Sequence, residues 1–144
     1  MKSYDPQMHT CEHILNQTMT RMFGCERSFS SHIEKKKSKC DYHFKRPLNP
    51  HEEIELATRV NEVIGQNLEV KEHFLNLADA SKRFNLSRLP EDAGEEVRIV
   101  TVGDYDACPC IGPHVSKTSE IGTFQLISSS CENDILRIRF KLAQ

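Results

Sequence analysis

A chain of 144 residues, 38% hydrophobic and 28% charged, is long enough for one hydrophobic core and too apolar to be disordered. Its formal net charge of -2 excludes a generic nucleic-acid binder, so any RNA contact requires a local basic patch. No apolar run approaches the roughly 20 residues that cross a bilayer, and residues 1–6 contain no apolar signal segment. We therefore expect a single cytoplasmic domain over residues 1–144.

The first predicted element is a helix over residues 6–23. Asp5 can cap its N-terminus, and the proline that follows suits the first helical position. Apolar residues recur through the segment at helical spacing, and Gly24 is a typical stop.

Two strands, 29–33 and 42–44, are predicted next, with the charged run 34–39 as the turn between them. A cluster of lysines could neutralise RNA phosphates, although a solvated hairpin tip is an equally good interpretation. The candidate RNA-binding residues in this run are Lys35, Lys36, Lys37 and Lys39.

A second helix is predicted to begin at Asn49, with Glu52 in the capping-box position. A short strand near 68–74 and a small helix near 77–84 follow it. The apolar face of the second helix is predicted to consist of Ile54, Ala57, Val60, Val63 and Ile64.

The last third of the chain predicts strands and one long loop. The β-branched run 97–102 is typical of a central strand, and the Gly-, Pro- and Asp-containing segment 103–119 of a functional loop. Segments 124–129 and 135–142 predict a hairpin that turns at 132–134. Its last strand alternates apolar residues with Arg137, Arg139 and Lys141, which gives one buried and one basic face. Helices mixed with antiparallel strands indicate an α+β fold.

Two pairs of potential metal ligands stand out. His9 and His13 are four residues apart on one helix face, and Cys110 and His114 flank a Gly-Pro turn. With no secretory signal, the six cysteines are expected to be reduced thiols. Chance supplies each pair roughly 0.3 times in such a chain, so only their combination is informative. Imidazole and thiolate ligands are suited to zinc, and together the four residues predict a zinc site.

The residues around these pairs resemble a known family. Segment 9–15, His-Thr-Cys-Glu-His-Ile-Leu, resembles the His-Thr-Ala-Glu-His-Ile-Leu opening of the alanyl-tRNA synthetase editing domain and its free-standing AlaX relatives. Segments 97–106 and 110–115 resemble the second motif of this family. Segment 118–122 resembles its Thr-Gly-Glu-Ile-Gly, and 138–140 its closing strand. The resemblance covers nearly the whole chain, in order.

This resemblance implies a two-layer sandwich of a mostly antiparallel sheet with packed helices, as in the editing domains of threonyl- and alanyl-tRNA synthetases. It implies zinc-dependent hydrolysis of mischarged aminoacyl-tRNA, namely seryl- or glycyl-tRNA for alanine or seryl-tRNA for threonine. The zinc ligands and catalytic residues of the family carry over onto His9, His13, Cys110 and His114. His114 is either a fourth ligand or a nearby base, and both interpretations stay open here.

Three further residues are candidates for substrate binding. Thr10 could read a serine hydroxyl, and Asp106 and Lys117 could orient the amine or the terminal ribose. Ordinary loop charge is the plainer interpretation of Asp106 and Lys117. The role of Glu12, between the two histidines, stays open.

Three departures from the family pattern matter. A Gly-Pro before His114 resembles the threonyl version of the motif, which leaves the cognate tRNA open. Ser119 replaces the usual glycine. The chain begins at the histidine helix, as in the shortest AlaX class, so its tRNA selectivity is expected to be limited or borrowed from a partner.

Two other functions also fit the sequence. Residues 9–13 match the His-x-x-Glu-His pattern of some zinc peptidases, in which Glu12 would be the general base. That hypothesis leaves Cys110 and His114 unexplained. The altered turn before His114 equally fits a non-catalytic, zinc- and RNA-binding relative of the editing domain.

Overall fold

The computed structural model describes residues 5–84, 86 and 95–143. Within these ranges the chain alternates helices with antiparallel strands. The elements are α1 (Pro6–Phe23), β1 (Ser30–His32), β2 (Ser38–His43), α2 (Pro50–Gly65), β3 (Val70–Asn76), α3 (Leu77–Arg83), β4 (Glu96–Val102), β5 (Asp106–Pro109), a 3-10 helix (Thr118–Glu120), β6 (Thr123–Glu132) and β7 (Ile135–Ala143).

The strands form two antiparallel sheets. One has four strands in the order β1-β2-β7-β6, and the other has three in the order β3-β4-β5. The α+β class and the packed helices are confirmed, with the strands divided between two sheets. The β6–β7 hairpin turns at Asn133 and Asp134, whose φ angles of 54° and 60° suit a tight two-residue hairpin turn.

Helix α1 is buried over much of its length. The Asp5 side chain accepts the N–H of Met8, and Gly24 ends the helix in the left-handed conformation with φ 70°, as predicted. Every residue from Met8 to Asn16 is buried. The polar side chains in this stretch therefore need partners inside the protein, because a buried polar group without one is costly.

Helix α2 begins with the predicted capping box, but its predicted apolar face is partly wrong. Ile54 is 66% exposed, whereas Leu56, absent from the prediction, is fully buried. Two residues turn an α-helix by about 200°, so Ile54 and Leu56 point in nearly opposite directions. The buried face consists of Leu56, Val60, Val63 and Ile64.

Two predicted boundaries also change. The segment 103–119, predicted as a loop, contains strand β5, because Asp106–Pro109 pairs with β4 after a tight turn. Strand β2 begins at Ser38, so the lysine-rich turn is shorter than predicted. Strand β7 has the predicted alternation, with Leu136, Ile138 and Phe140 fully buried.

None of the helices in the described ranges is long and apolar enough to cross a membrane. Residues 1–4, which belong to the N-terminal segment predicted to contain no signal sequence, lie outside the described residues.

Candidate metal centre

The four predicted ligands come together at one point. His9 and His13 project from α1, and Cys110 and His114 from the turn after β5, with one ligand atom of each within 4.8 Å of the others. The Cys110 Sγ lies 3.2 Å from His9 Nε2 and 3.5 Å from His114 Nε2. In a tetrahedral zinc site, bonds of about 2.0–2.3 Å place neighbouring ligand atoms about 3.3–3.6 Å apart. This cluster could hold a metal ion.

The hydrogen bond of His9 determines which of its nitrogens faces the cluster. His9 Nδ1 lies 3.0 Å from the carbonyl oxygen of Pro113. A carbonyl can only accept, so Nδ1 carries the proton and donates it. The lone pair is therefore on Nε2, the atom that faces Cys110.

Thr10 likewise determines which ring nitrogen of His114 carries the proton. The Thr10 hydroxyl donates its one proton to the Pro6 carbonyl at 3.0 Å, and it accepts the N–H of Val115 at 3.2 Å. The hydroxyl oxygen therefore accepts the Nδ1–H of His114, at 2.8 Å. His114 Nε2 is left with its lone pair towards the cluster.

His13 has a carboxylate behind it. Its Nδ1 lies 3.5 Å from Asp106 Oδ2, yet this buried nitrogen has no hydrogen-bond partner among the described residues. Asp106 also binds the Arg27 guanidinium at 2.7 and 3.2 Å and accepts from Gln17 at 2.9 Å. Burial alone would raise the pKa of Asp106, but His13 and Arg27 hold this pKa well below its ordinary value. Histidine ligands of metals typically donate to such a carboxylate.

The Cys110–His114 turn is held by Arg98 of β4. The Arg98 guanidinium donates to the carbonyls of Gly112 at 2.8 Å and Cys110 at 3.3 Å. The backbone N–H of Cys110 in turn donates to the Arg98 carbonyl. Gly112 has a φ of 106°, a conformation that favours glycine. The turn therefore depends on both Arg98 and Gly112.

Burial controls protonation in this cluster. Together with the neighbouring His13, burial lowers the pKa of His9 to about 4 and that of His114 to about 2. Burial also raises the pKa of the Cys110 thiol to about 12, with Cys108 adding to the effect. At neutral pH the two imidazoles are neutral and the thiol is protonated. Binding of a cation would therefore release a proton from Cys110.

A cavity of about 660 Å³ opens beside the cluster. This volume is in the range of about 300–1,000 Å³ typical of small-molecule sites. Glu12 and Asn16, one helical turn apart on α1, line it. The amide oxygen of Asn16 accepts from Tyr42 and from the N–H of Ser28, so its amide nitrogen is the group left for a ligand. The other lining residues are His9, His13, Thr20, Gly24, Cys25, Glu26, Arg27, Ser28, Phe29, His43, Cys108, Pro109, Cys110 and Ile111.

The three predicted substrate-binding residues do not line this cavity. Thr10 is fully buried behind His114, and Asp106 is buried behind His13. Lys117 is exposed, forms a β-bridge with Glu69 and does not line the cavity. The structure thus does not bring these three side chains to the cavity beside the cluster.

The predicted basic residues lie on the four-stranded sheet. Lys35, Lys36 and Lys37 are exposed at the β1–β2 turn. Lys39 is directly opposite Arg139 in the β2–β7 register, which joins the turn to the basic face of β7. Arg137 differs, because its charge pairs with Asp41 at 2.8 Å.

Sequence reasoning missed Arg27, Arg98 and Asn16. Arg27 and Arg98 carry no local signal, because their partners are 79 and 14 residues away in the chain. Asn16 could have been found, since it lies three residues after His13 and therefore on the same helix face.

Comparisons with known proteins identify related sequences. Residues 97–138, which include two of the four clustered residues, match the family described as the threonyl and alanyl tRNA synthetase second additional domain. The chain is 33% identical over 133 residues to the alanine–tRNA ligase of Coxiella burnetii, covering 90% of this chain and 15% of that protein. It is 32% identical over 126 residues to the Leptospira biflexa enzyme, covering 83% and 13%. For the chloroplastic/mitochondrial enzyme of Populus trichocarpa the identity is 33% over 121 residues, covering 83% and 12%. The chain thus spans 15% or less of the length of these relatives.

Proposed function

Because the chain belongs to the threonyl and alanyl tRNA synthetase second additional domain family, we propose that it hydrolyses mischarged aminoacyl-tRNA. The proposed substrates are seryl- or glycyl-tRNA for alanine and seryl-tRNA for threonine. One observation carries the proposal: four ligand atoms from distant parts of the chain lie within 4.8 Å of one another beside a ligand-sized cavity. On this proposal residues 1–144 act as one domain, in the cytoplasm.

The proposed cofactor is Zn²⁺, held by His9, His13, Cys110 and His114. Three imidazoles and a thiolate are the nitrogen and sulfur donors that zinc prefers. The Thr10 contact supports His114 as a ligand, because it leaves Nε2 unprotonated towards the cluster. When bound, the zinc would supply a Lewis acid for the ester carbonyl.

The residues of the cavity would bind and orient the substrate. The Glu12 carboxylate lies 3.9 Å from His9 Nε2 and lines the cavity, so it can pair with the ammonium group of the amino acid. The amide nitrogen of Asn16 can donate to an oxygen of the substrate. Thr10 and Asp106 are assigned to positioning His114 and His13.

The tRNA would be bound in part by a basic surface on the outer side of the four-stranded sheet. This surface is defined as Lys35, Lys36, Lys37, Lys39 and Arg139. Lys37, Lys39 and Arg139 line a pocket of about 250 Å³ there, which supports a phosphate contact.

The zinc-peptidase hypothesis is less well supported. It needs only His9, Glu12 and His13 from this region, whereas the cluster also includes Cys110 and His114. The editing hypothesis uses all of these residues.

A deacylation assay tests the proposal. Purified protein is incubated with seryl-, glycyl- and alanyl-tRNA for alanine and with seryl-tRNA for threonine, and zinc is measured by elemental analysis. We expect zinc at one equivalent and hydrolysis of at least one mischarged tRNA. Cys110→Ala should lose both, and Cys131→Ala, a half-buried thiol outside the cavity, should lose neither.

Two results would contradict the proposed hydrolase activity. Bound zinc with no hydrolysis of any of the four esters would indicate a non-catalytic binding domain. Cleavage of peptides without ester hydrolysis would indicate a zinc peptidase.

A further inference from the structure

An exposed pair of aromatic rings lines the same cavity as the metal ligands. The rings of Phe29 and His43 are stacked, with centroids 4.0 Å apart and planes 14° apart. Phe29 is 38% exposed and His43 is exposed, and neither belongs to the buried core. The backbone N–H of Phe29 donates to the Asp41 carbonyl, which holds the pair against strand β2.

The segment that carries Phe29 runs beside helix α1. The N–H of Ser28 donates to Asn16 at 3.2 Å, so the segment carrying the pair runs beside Asn16. At about 1.5 Å of rise per residue, Asn16 is about 4.5 Å beyond His13 and about 10 Å beyond His9. The Phe29–His43 pair, Asn16 and the metal ligands His9, His13 and Cys110 thus line one cavity.

We propose that the Phe29–His43 pair stacks the terminal adenine of aminoacyl-tRNA while the ester lies at the metal centre. This inference rests on the proposed function. Unpaired bases commonly stack on aromatic side chains, since each base has an open π-face. The guanidinium of the nearby Arg27 is already paired with Asp106.

The Asn16 amide completes the site. Its oxygen is held by Tyr42 and Ser28, which fixes the orientation of its nitrogen. This nitrogen can donate to the ribose between the base and the ester. The terminal nucleoside would then be held at its base and at its sugar, while Glu12 binds the amino acid.

A fluorescent nucleoside tests the stacking directly, without requiring catalysis. The probe is 3′-serylamido-3′-deoxy-2-aminopurine riboside, whose amide resists hydrolysis and whose fluorescence is quenched when the base stacks. Wild-type protein should quench it. Phe29→Ala should raise Kd roughly 5- to 150-fold, the range of one lost base–aromatic stack. Phe29→Tyr should restore the affinity.

Phe74→Ala is the matched control, because Phe74 is 57% exposed on β3 and does not line the cavity. It should leave Kd unchanged. Equal Kd and equal quenching in wild type, Phe29→Ala and His43→Ala would overturn the inference. Thermal unfolding of each variant identifies a loss of binding that arises from misfolding, and Phe29→Tyr keeps the test decisive in that case.

Failure of the inference and failure of the proposed function give different results. If wild-type protein deacylates tRNA and Phe29→Ala does so with unchanged KM, the stacking site is wrong and the hydrolase stands. If no tRNA is deacylated but quenching depends on Phe29, the hydrolase is wrong and the nucleoside site stands.

Discussion

At the scale of single residues, the Nδ1 atom of each clustered histidine faces a different oxygen group of the protein. His9 donates to a backbone carbonyl, His114 donates to a hydroxyl, and His13 faces a carboxylate. The contacts of His9 and His114 have the same effect, because each occupies the Nδ1 proton and leaves the lone pair of Nε2 towards Cys110. Such outer partners contribute strongly to metal affinity.

Replacing Thr10 tests this dependence. Thr10→Val keeps the shape of the side chain but removes the oxygen that accepts from His114. We expect zinc affinity to fall about 10- to 100-fold. Thr10→Ser, which keeps the hydroxyl, should restore it. Competition with a chromogenic chelator measures the affinity, and equal affinity in all three proteins would contradict the assignment.

The Asp41–Arg137 pair predicts a pH dependence of stability. Two hydrogen bonds from Arg137 hold the pKa of Asp41 below its ordinary value. The stabilisation is therefore present above the unfolded pKa of about 3.9 and is lost as pH falls through the lower folded pKa. Asp41→Asn should cost about 0.2–1 kcal/mol at pH 7, and this difference should shrink below pH 4.

Urea unfolding at pH 7 and at pH 3 measures this difference. Glu62→Gln, which alters an exposed carboxylate on α2, is the control and should have little effect at either pH. A constant destabilisation of Asp41→Asn at both pH values would exclude the ion pair as its cause.

At the scale of elements, α1 and α2 show how burial selects a helix face. Helix α1 is buried on all sides from Met8 to Asn16 and therefore carries the polar residues of the site inside the protein. Helix α2 is buried on one side only, along a stripe that begins at Leu56. An apolar residue outside that stripe, such as Ile54, remains in solvent.

Two alanine substitutions on α2 separate these environments. Leu56→Ala should reduce the free energy of unfolding by about 2–5 kcal/mol, since it leaves a cavity in the core. Ile54→Ala removes an exposed side chain and should change it by no more than about 0.5 kcal/mol. Denaturant unfolding measures both, and similar losses for the two variants would contradict the observed face of α2.

Charge reversal tests the β1–β2 turn as an RNA-binding element. The triple variant Lys35→Glu, Lys36→Glu, Lys37→Glu should weaken tRNA binding and reduce its dependence on salt, because fewer phosphate contacts release counterions. Reversal of Lys71 and Lys82, exposed elsewhere, is the control. Filter binding over a salt series measures both effects, and unchanged binding would remove this surface from the proposal.

At the scale of the whole molecule, the candidate metal centre brings together distant parts of the chain. His9 and Cys110 are 101 residues apart, one on α1 and the other directly after β5. A bound ion would therefore cross-link α1 to the turn that Arg98 holds. Metal binding and global stability should be coupled.

Metal removal measures this coupling. At free zinc of 100 times Kd, binding to the folded state alone adds about 2.7 kcal/mol. For a chain of this size this is a shift in Tm of about 5–11 °C. Calorimetry with and without a chelator should show the shift in wild type and no shift in Cys110→Ala. Equal Tm values in wild type would show that no stabilising ion is bound.

The sequence by itself determined the features that depend on neighbouring residues. The cap at Asp5, the capping box at Asn49, the stop at Gly24 and the alternation along β7 each involve residues a few positions apart, so local rules predicted them. Both halves of the candidate metal centre were also local motifs, which is why His9 with His13 and Cys110 with His114 could be recognised together.

Only the tertiary structure decided which groups meet across the fold. The contacts of Thr10 with His114, of Arg27 with Asp106 and of Asn16 with Tyr42 span 26 to 104 residues. The division of the strands into two sheets and the stacking of Phe29 on His43 likewise depend on the path of the whole chain. Local propensities do not determine that path, because packing of the complete core selects it.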